Sequence, residues 1–160
     1  MTLADLLKRA APWAAAVYAV FMVLVAFWPT PVDRDAHATI AHILWVLHKY
    51  GMPHFINYSV VEFTANIALF LPVGLLVVFY VGMRRWWLGF VVGFAASSII
   101  ELGQLLFLAQ RFPSVADVVA NTTGAIFGTV LALVVLTIWG DRGPYPLSRE
   151  DSTVVIDRTS

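Results

Sequence analysis

The sequence contains no cysteine and few charged residues. Its 160 residues include ten Lys or Arg and ten Asp or Glu, so the charged share is 12% and the formal net charge is zero. The lack of cysteine excludes disulfides and thiol chemistry, and a zero net charge gives no support for binding nucleic acid. Soluble domains carry about 25% charged residues, so this composition argues against a soluble globular domain.

Long apolar segments make up most of the sequence. The chain is 60% hydrophobic, and a membrane span needs about 20 mostly apolar residues. Four segments reach that length and predict spans over residues 10–31, 62–83, 86–108 and 115–139. We therefore predict an all-α fold, an integral membrane bundle of four transmembrane helices in one domain over residues 1–140. Residues 141–160 are polar and rich in Gly and Pro, and we expect a disordered cytoplasmic tail.

The first apolar segment has to be distinguished from a signal peptide. Its apolar part is longer than the 7–15 residues typical of a signal sequence, and no small-residue cleavage motif precedes the bulky Phe27, Trp28 and Pro29. We therefore expect it to be retained as the first span.

The distribution of Lys and Arg predicts the orientation of the chain in the membrane. With four spans, seven basic residues share one side and three lie on the other. Basic residues favour the cytoplasmic side, so both termini are expected there. The seven are Lys8, Arg9, Arg84, Arg85, Arg142, Arg149 and Arg158, and the three are Arg34, Lys49 and Arg111.

The long connection between the first two spans contains a short amphipathic segment. Over residues 38–49, four apolar residues recur at helical spacing, which favours a helix lying in the outer membrane interface. The histidines of this connection are separated by five, six and six residues. A helical zinc site uses an i, i+4 pair, so no metal and no cofactor is predicted. The residues concerned are Ile40, Ile43, Leu44 and Leu47, with His37, His42, His48 and His54.

Polar side chains interrupt the last three spans at a common level. A carboxylate inside a membrane costs about 2.5–3.5 kcal/mol on insertion scales and often marks a working site. Helix rise places Glu101 and Asn121 about 10 and 9 Å from the outer ends of their helices. Glu101 shares a helix face with Gln104, and Asp117 shares one with Asn121. The predicted binding site comprises Asn66, Glu101, Gln104, Arg111, Asp117 and Asn121.

Most of these residues also have a structural interpretation. Ser114 and Asp117 have the spacing of a capping box, and the three amides could form hydrogen bonds between helices. Arg111 could anchor the chain at the interface, and the pair Gly124 and Gly128 is a helix-packing motif. Glu101 is the hardest to explain structurally, because a glutamine would cost less at that depth.

Together these motifs resemble the pattern of the VanZ-like family, over residues 28–133. The resemblance implies a cell-envelope membrane protein, and the family's founding member is associated with resistance to teicoplanin. The matching features are residues 28–33 (Trp-Pro-Thr-Pro-Val-Asp), residues 61–74 with Asn66 to Gly74, Glu101-x-x-Gln104, Arg111, Asp117-x-x-x-Asn121 and Gly124-x-x-x-Gly128. Residues 28–33 and residues 61–66 (Val-Glu-Phe-Thr-Ala-Asn) are similar to the corresponding segments of short actinobacterial-type members of the family.

Two classes of function remain open from the sequence. The first is a binding protein whose outer-leaflet pocket, with Arg111 at the rim and Glu101 within, holds a lipid head group or a lipid-linked cell-wall precursor. The second is an intramembrane enzyme that uses Glu101 and Asp117 as an acid–base pair. An ion or proton conduit is disfavoured because the inner halves of the spans offer no polar relay.

Overall fold

The computed structural model describes residues 3–27, 34–108 and 114–139. These residues form five α-helices and one 3₁₀ turn, Met83–Arg85. Four of the helices are long and apolar enough to cross a membrane, so the predicted all-α bundle of a multi-pass membrane protein is confirmed. The helices are α1 (Leu3–Ala26), α2 (Arg34–Lys49), α3 (Tyr58–Val81), α4 (Trp87–Phe107) and α5 (Val115–Trp139). Arg111 and residues 141–160 lie outside the described residues.

The first two spanning helices begin and end earlier along the chain than predicted. Helix α1 begins at Leu3 rather than at residue 10 and ends at Ala26 rather than at residue 31. Its end precedes Pro29, which has no N–H and disfavours helix in the residue before it. Helix α3 begins at Tyr58 rather than at residue 62, because the Asn57 side chain caps it by accepting a hydrogen bond from the Val60 N–H at 3.2 Å.

Helices α3 and α5 run parallel and approach each other through glycine. A Cβ added at Gly124 would collide with the Ile67 carbonyl oxygen, and one added at Gly128 with that of Leu71. On the α3 side of the same contact, a Cβ added at Gly74 would collide with the carbonyl oxygen of Ala125 in α5. Each glycine thus turns a Cα hydrogen toward a carbonyl of the facing helix, an arrangement that contributes perhaps 0.5–1 kcal/mol per contact. The predicted packing role of Gly124 and Gly128 is confirmed.

Helix α4 runs antiparallel to α3 and α5, packs against both and completes this three-helix core. A Cβ at Gly93 would collide with the Cβ of Ala125, and one at Gly89 with the Thr129 hydroxyl. Helix α1 packs on α3, where the Tyr18 hydroxyl donates to the Leu69 carbonyl oxygen at 2.6 Å. Small residues therefore set the separation of the inner helices, whereas α1 is held by larger side chains and a hydrogen bond.

The two ends of the bundle differ in polarity. Near the α3–α4 turn, Val78, Ala132 and Leu136 form an apolar core. At the opposite end, α3 and α5 begin and α1 and α4 end, and the buried Glu101, Gln104 and Asn121 lie within about two turns of those ends. Large apolar side chains face outward around the bundle, among them Trp13 and Phe107, each 77% exposed. This perimeter is the one expected of helices surrounded by lipid.

Helix α2 packs at the polar end of the bundle. Leu44 is its buried apolar residue, and the Lys49 ammonium lies 3.7 Å from the centroid of the Trp45 ring, a cation–π contact. The His48 Nε2 atom is hydrogen-bonded to the Ile56 carbonyl oxygen at 3.1 Å, which closes the turn after the helix. The predicted helix is present, and its location in the outer membrane interface stays a prediction.

We predict that Gly124→Ala and Gly128→Ala each destabilise the bundle by about 1–3 kcal/mol, the usual cost of overpacking a tight contact. The new methyl group would meet a backbone carbonyl of α3, which cannot move without separating the helices. The matched control is Gly103→Ala, whose methyl group would meet only the tip of the Phe27 ring. Thermal unfolding in detergent measures all three. An equal loss of thermal stability in Gly103→Ala would contradict the assignment of α3–α5 as the tightest helix contact.

We also predict that the α2–α3 connection lies outside the cell and the α3–α4 turn inside. Tyr50 is 86% exposed in the first and Met83 is 43% exposed in the second. Because the chain has no cysteine, Tyr50→Cys and Met83→Cys each introduce a single thiol. A membrane-impermeant maleimide should label intact cells carrying Tyr50→Cys, and should label Met83→Cys only after lysis. The reverse pattern would invert the orientation.

Candidate polar site

Glu101 connects the end of α4 to the start of α5. It is 7% exposed, and its Oε2 atom accepts a hydrogen bond from the backbone N–H of Ser114 at 2.9 Å. Ser114 immediately precedes α5, where backbone N–H groups lack partners within the helix. A carboxylate at this position is also favoured by the positive end of the helix dipole. Glu101 therefore acts as a cap for α5 that is supplied by the neighbouring helix.

Ser114 and Asp117 form the first half of the capping box that their spacing predicts. The Ser114 hydroxyl accepts from the Asp117 N–H at 3.3 Å. In a capping box the N–H of the first residue is met by the side chain three residues later, but here the Ser114 N–H donates to Glu101. The Asp117 carboxylate reaches α3 instead, where its Oδ1 atom accepts from Asn66 Nδ2 at 2.8 Å.

Asn121 and Ser97 meet one turn farther into the bundle. Asn121 Nδ2 donates to Ser97 Oγ at 2.9 Å, and the two residues are 5% and 0% exposed. Asn121 follows Asp117 by four residues and Ser97 precedes Glu101 by four, so each is one helical turn from a carboxylate on the same face. The Asn121 Oδ1 atom is buried and has no hydrogen-bond partner in the structure.

A hydrogen-bonded group of four residues and the Ser97–Asn121 pair one turn deeper make up what we call the polar cluster: Asn66, Ser97, Glu101, Ser114, Asp117 and Asn121. Hydrogen bonds run from Asn66 through Asp117 and Ser114 to Glu101. The group joins α3, α4 and α5 within the first turns of α5. It provides two carboxylates and one unpartnered amide oxygen at the end of the bundle that is predicted to face outward.

Gln104 lies beside the cluster and contacts α1. It is 9% exposed, and its Nε2 atom donates to the Ala26 carbonyl oxygen at 2.9 Å. Ala26 is the last residue of α1, where carbonyl groups lack partners within the helix. The predicted site residue Gln104 is therefore found holding the end of α1.

The structure thus brings four of the predicted site residues, Asn66, Glu101, Asp117 and Asn121, into direct or one-turn proximity. Arg111, the sixth, lies outside the described residues. Ser97 and Ser114 were not predicted as members of the site, although their spacing from Glu101 and Asp117 was visible in the sequence. Among the described residues, no group of three or more His, Asp or Glu side chains could hold a metal ion.

We predict that Asn66 and Asp117 are energetically coupled. The double variant should lose less unfolding free energy than Asn66→Ala and Asp117→Ala lose in sum. The expected difference is about 0.6–2 kcal/mol, the range found for hydrogen bonds between membrane helices. The unfolding free energy, measured in mixed micelles, tests this. A control cycle pairs Asn66→Ala with Thr137→Ala, since the Thr137 hydroxyl bonds only within its own helix in the structure. The control should be additive, and additivity in both cycles would refute the coupling.

Comparison with known proteins places this arrangement in a family. A profile described as VanZ/LLP1 matches residues 15–137, a range that contains α3, α4, α5 up to residue 137 and the whole polar cluster. No curated protein and no solved structure matches the chain. The profile match spans most of the chain and includes the motifs that carry the resemblance in the sequence. The chain therefore belongs to the VanZ/LLP1 family.

Proposed function

We propose that this VanZ-like membrane protein binds the head group of a membrane lipid or of a lipid-linked cell-wall precursor at the polar cluster. The observation that carries the proposal is the convergence of polar side chains from three spanning helices at one end of an otherwise apolar bundle. Asn66, Asp117, Ser114 and Glu101 are joined there by hydrogen bonds. Arg111, in the connection between α4 and α5, is the proposed rim residue that would meet a phosphate group.

The choice of carboxylates supports binding over a purely structural role. Neutral amides suffice to join helices in a membrane, as Gln104 does at the end of α1. Glu101 makes a comparable bond to Ser114, yet a carboxylate costs more than an amide at its depth, and the dipole of α5 offsets only about 0.3–2 kcal/mol. A role that needs the charge of Glu101 explains why glutamine does not occupy this position.

The location of the cluster connects binding to the cell envelope. Its end of the bundle is opposite the turn that contains Arg84 and Arg85, and basic pairs favour the cytoplasmic side. The cluster is therefore proposed to open toward the outer leaflet. A protein that holds a head group or a precursor there would change what an external antibiotic can reach, and we propose a contribution to tolerance of teicoplanin-type glycopeptides.

The geometry favours binding over the enzymatic alternative. An acid–base pair needs Glu101 and Asp117 to exchange protons with a substrate. In the structure each accepts a hydrogen bond from a group that fixes helix positions, namely the Ser114 N–H and the Asn66 amide. Carboxylates held in place as acceptors are suited to orienting a polar ligand.

The test is a mass-spectrometric inventory of the lipids retained by purified protein. We predict that Glu101→Gln loses a head-group class that the wild type retains, because the charge is removed while size and hydrogen-bonding capacity are nearly kept. The matched control is Glu62→Gln, the same substitution at an exposed position on α3 one turn from Asn66. Tolerance to teicoplanin is measured in cells that express each variant at equal level.

Two outcomes decide the proposal. Selective loss of a lipid class and of tolerance in Glu101→Gln, with Glu62→Gln unaffected, would support it. If Glu101→Gln folds with wild-type stability and keeps both the lipid inventory and the tolerance, the carboxylate is not required and the binding proposal is refuted.

A further inference from the structure

We propose that one side of α2, formed by Ile43 and Leu47, is a contact surface for membrane lipid at the polar end of the bundle, and that the opposite side, with Trp45 and Lys49, faces water. This inference is independent of the proposed function, because it concerns a helix outside the polar cluster. The sequence predicts an interfacial helix, and the side-chain contacts of the structure assign the side that meets lipid.

Two contacts fix the rotation of α2 about its own axis. Leu44 is buried, with 8% of its surface exposed. His48, four residues later, is half-buried, and its Nε2 atom is hydrogen-bonded to the Ile56 carbonyl oxygen at 3.1 Å. Residues four apart share a helix face, so this face is turned toward the rest of the protein. The two flanking sides of the helix are therefore the ones that an outside partner can reach.

The first flanking side carries exposed apolar residues. Ile43 and Leu47, also four residues apart, are 49% and 43% exposed, and helix geometry places them about a quarter turn from the buried face. Tyr50 follows Leu47 by three residues, just after the helix, and is 86% exposed. A tyrosine ring is apolar with a polar tip and suits the head-group level, where water still reaches it. This side therefore changes from apolar to amphipathic toward the end of α2.

The opposite side is unsuited to hydrocarbon. Trp45 and Lys49 are four residues apart, and the Lys49 ammonium lies 3.7 Å from the centroid of the Trp45 ring. The His42 ring lies on the same side, with its centroid 5.9 Å from that of Trp45. An ammonium group is strongly hydrated, and its transfer into hydrocarbon is costly. Although Trp45 is 54% exposed, its polar neighbours therefore keep this side in water or among the head groups.

Lipid suits the side of Ile43 and Leu47 better than a second protein does. A stable protein–protein interface engages about 20–30 residues on each partner, whereas one side of α2 offers only a few side chains. At the same end of the bundle, Phe107 closes α4 and Val115 opens α5, and they are 77% and 81% exposed. The apolar perimeter that suits lipid thus extends to the ends of the spanning helices, where α2 packs.

The test uses spin labels at single cysteines, which the cysteine-free chain permits. Ile43→Cys and Leu47→Cys report on the proposed lipid side, and the matched control is Ala38→Cys, exposed on the side of Trp45. Val20→Cys, at a position 61% exposed on α1, supplies the reference for lipid. The full chain is reconstituted in vesicles of phosphatidylethanolamine and phosphatidylglycerol. The relaxation of each label is measured with oxygen, which concentrates in hydrocarbon, and with a nickel chelate that is confined to water.

We expect the ratio of oxygen to nickel accessibility at positions 43 and 47 to exceed that at position 38 several-fold and to approach the ratio at position 20. All four positions are exposed, so the labelled proteins should unfold at the wild-type temperature. Low accessibility to both reagents at 43 and 47 would mean that protein covers them, as in a dimer, and would overturn the lipid contact. Preferential access of the nickel chelate there would place this side in water and overturn it as well. A higher ratio at 38 than at 43 and 47 would reverse the two sides.

Discussion

The close contact between α3 and α5 is the constraint on which the rest of the structure depends. Gly74, Gly124 and Gly128 bring backbone carbonyls of one helix against Cα atoms of the other. Lipid chains are as apolar as leucine, so membrane helices gain little from hydrophobic burial and associate through close packing and polar contacts. Such a contact has little freedom to slide, because the carbonyls and glycines face each other at a four-residue spacing on both helices. The register it sets brings Asn66 opposite Asp117.

The polar cluster combines a structural and a proposed functional role in the same atoms. Each carboxylate meets a protein donor, Glu101 at the start of α5 and Asp117 on α3, which reduces the cost of burying it. The same bonds hold the two carboxylates at fixed positions near the start of α5. A binding site built in this way is organised before the ligand arrives, and preorganisation lowers the entropic cost of association. The neighbouring bond from Gln104 to Ala26 holds α1 at the same end of the bundle.

Much of the fold and part of the site could be predicted from the sequence. Apolar segment length was enough for four spans. Helix rise predicted Glu101 and Asn121 at one level, whereas in the structure Glu101 meets Ser114 and Asn121 meets Ser97, one turn farther into the bundle. The predicted limits of the first two spanning helices differ from the observed ones by several residues. Hydropathy detects neither the Asn57 cap at the start of α3 nor the part of α1 that extends through Arg9 and Lys8 back to Leu3. Ser97 was visible on the face of Glu101, but nothing in its spacing indicated that Asn121 would be its partner.

Hydropathy and periodicity by themselves determined that the chain spans a membrane with four helices, and which side chains share a face, because both depend on local composition and on helix geometry. The pairing of those faces was decided only by the tertiary structure. Whether the Asp117 carboxylate completes the capping box at Ser114 or reaches Asn66, and whether Glu101 reaches the start of α5, depends on how closely the helix backbones approach. That distance is set where glycines of one helix meet backbone carbonyls of the other, as Gly74 meets Ala125 and Gly124 meets Ile67. Such a relation joins segments that lie far apart in the sequence, and no single segment contains it.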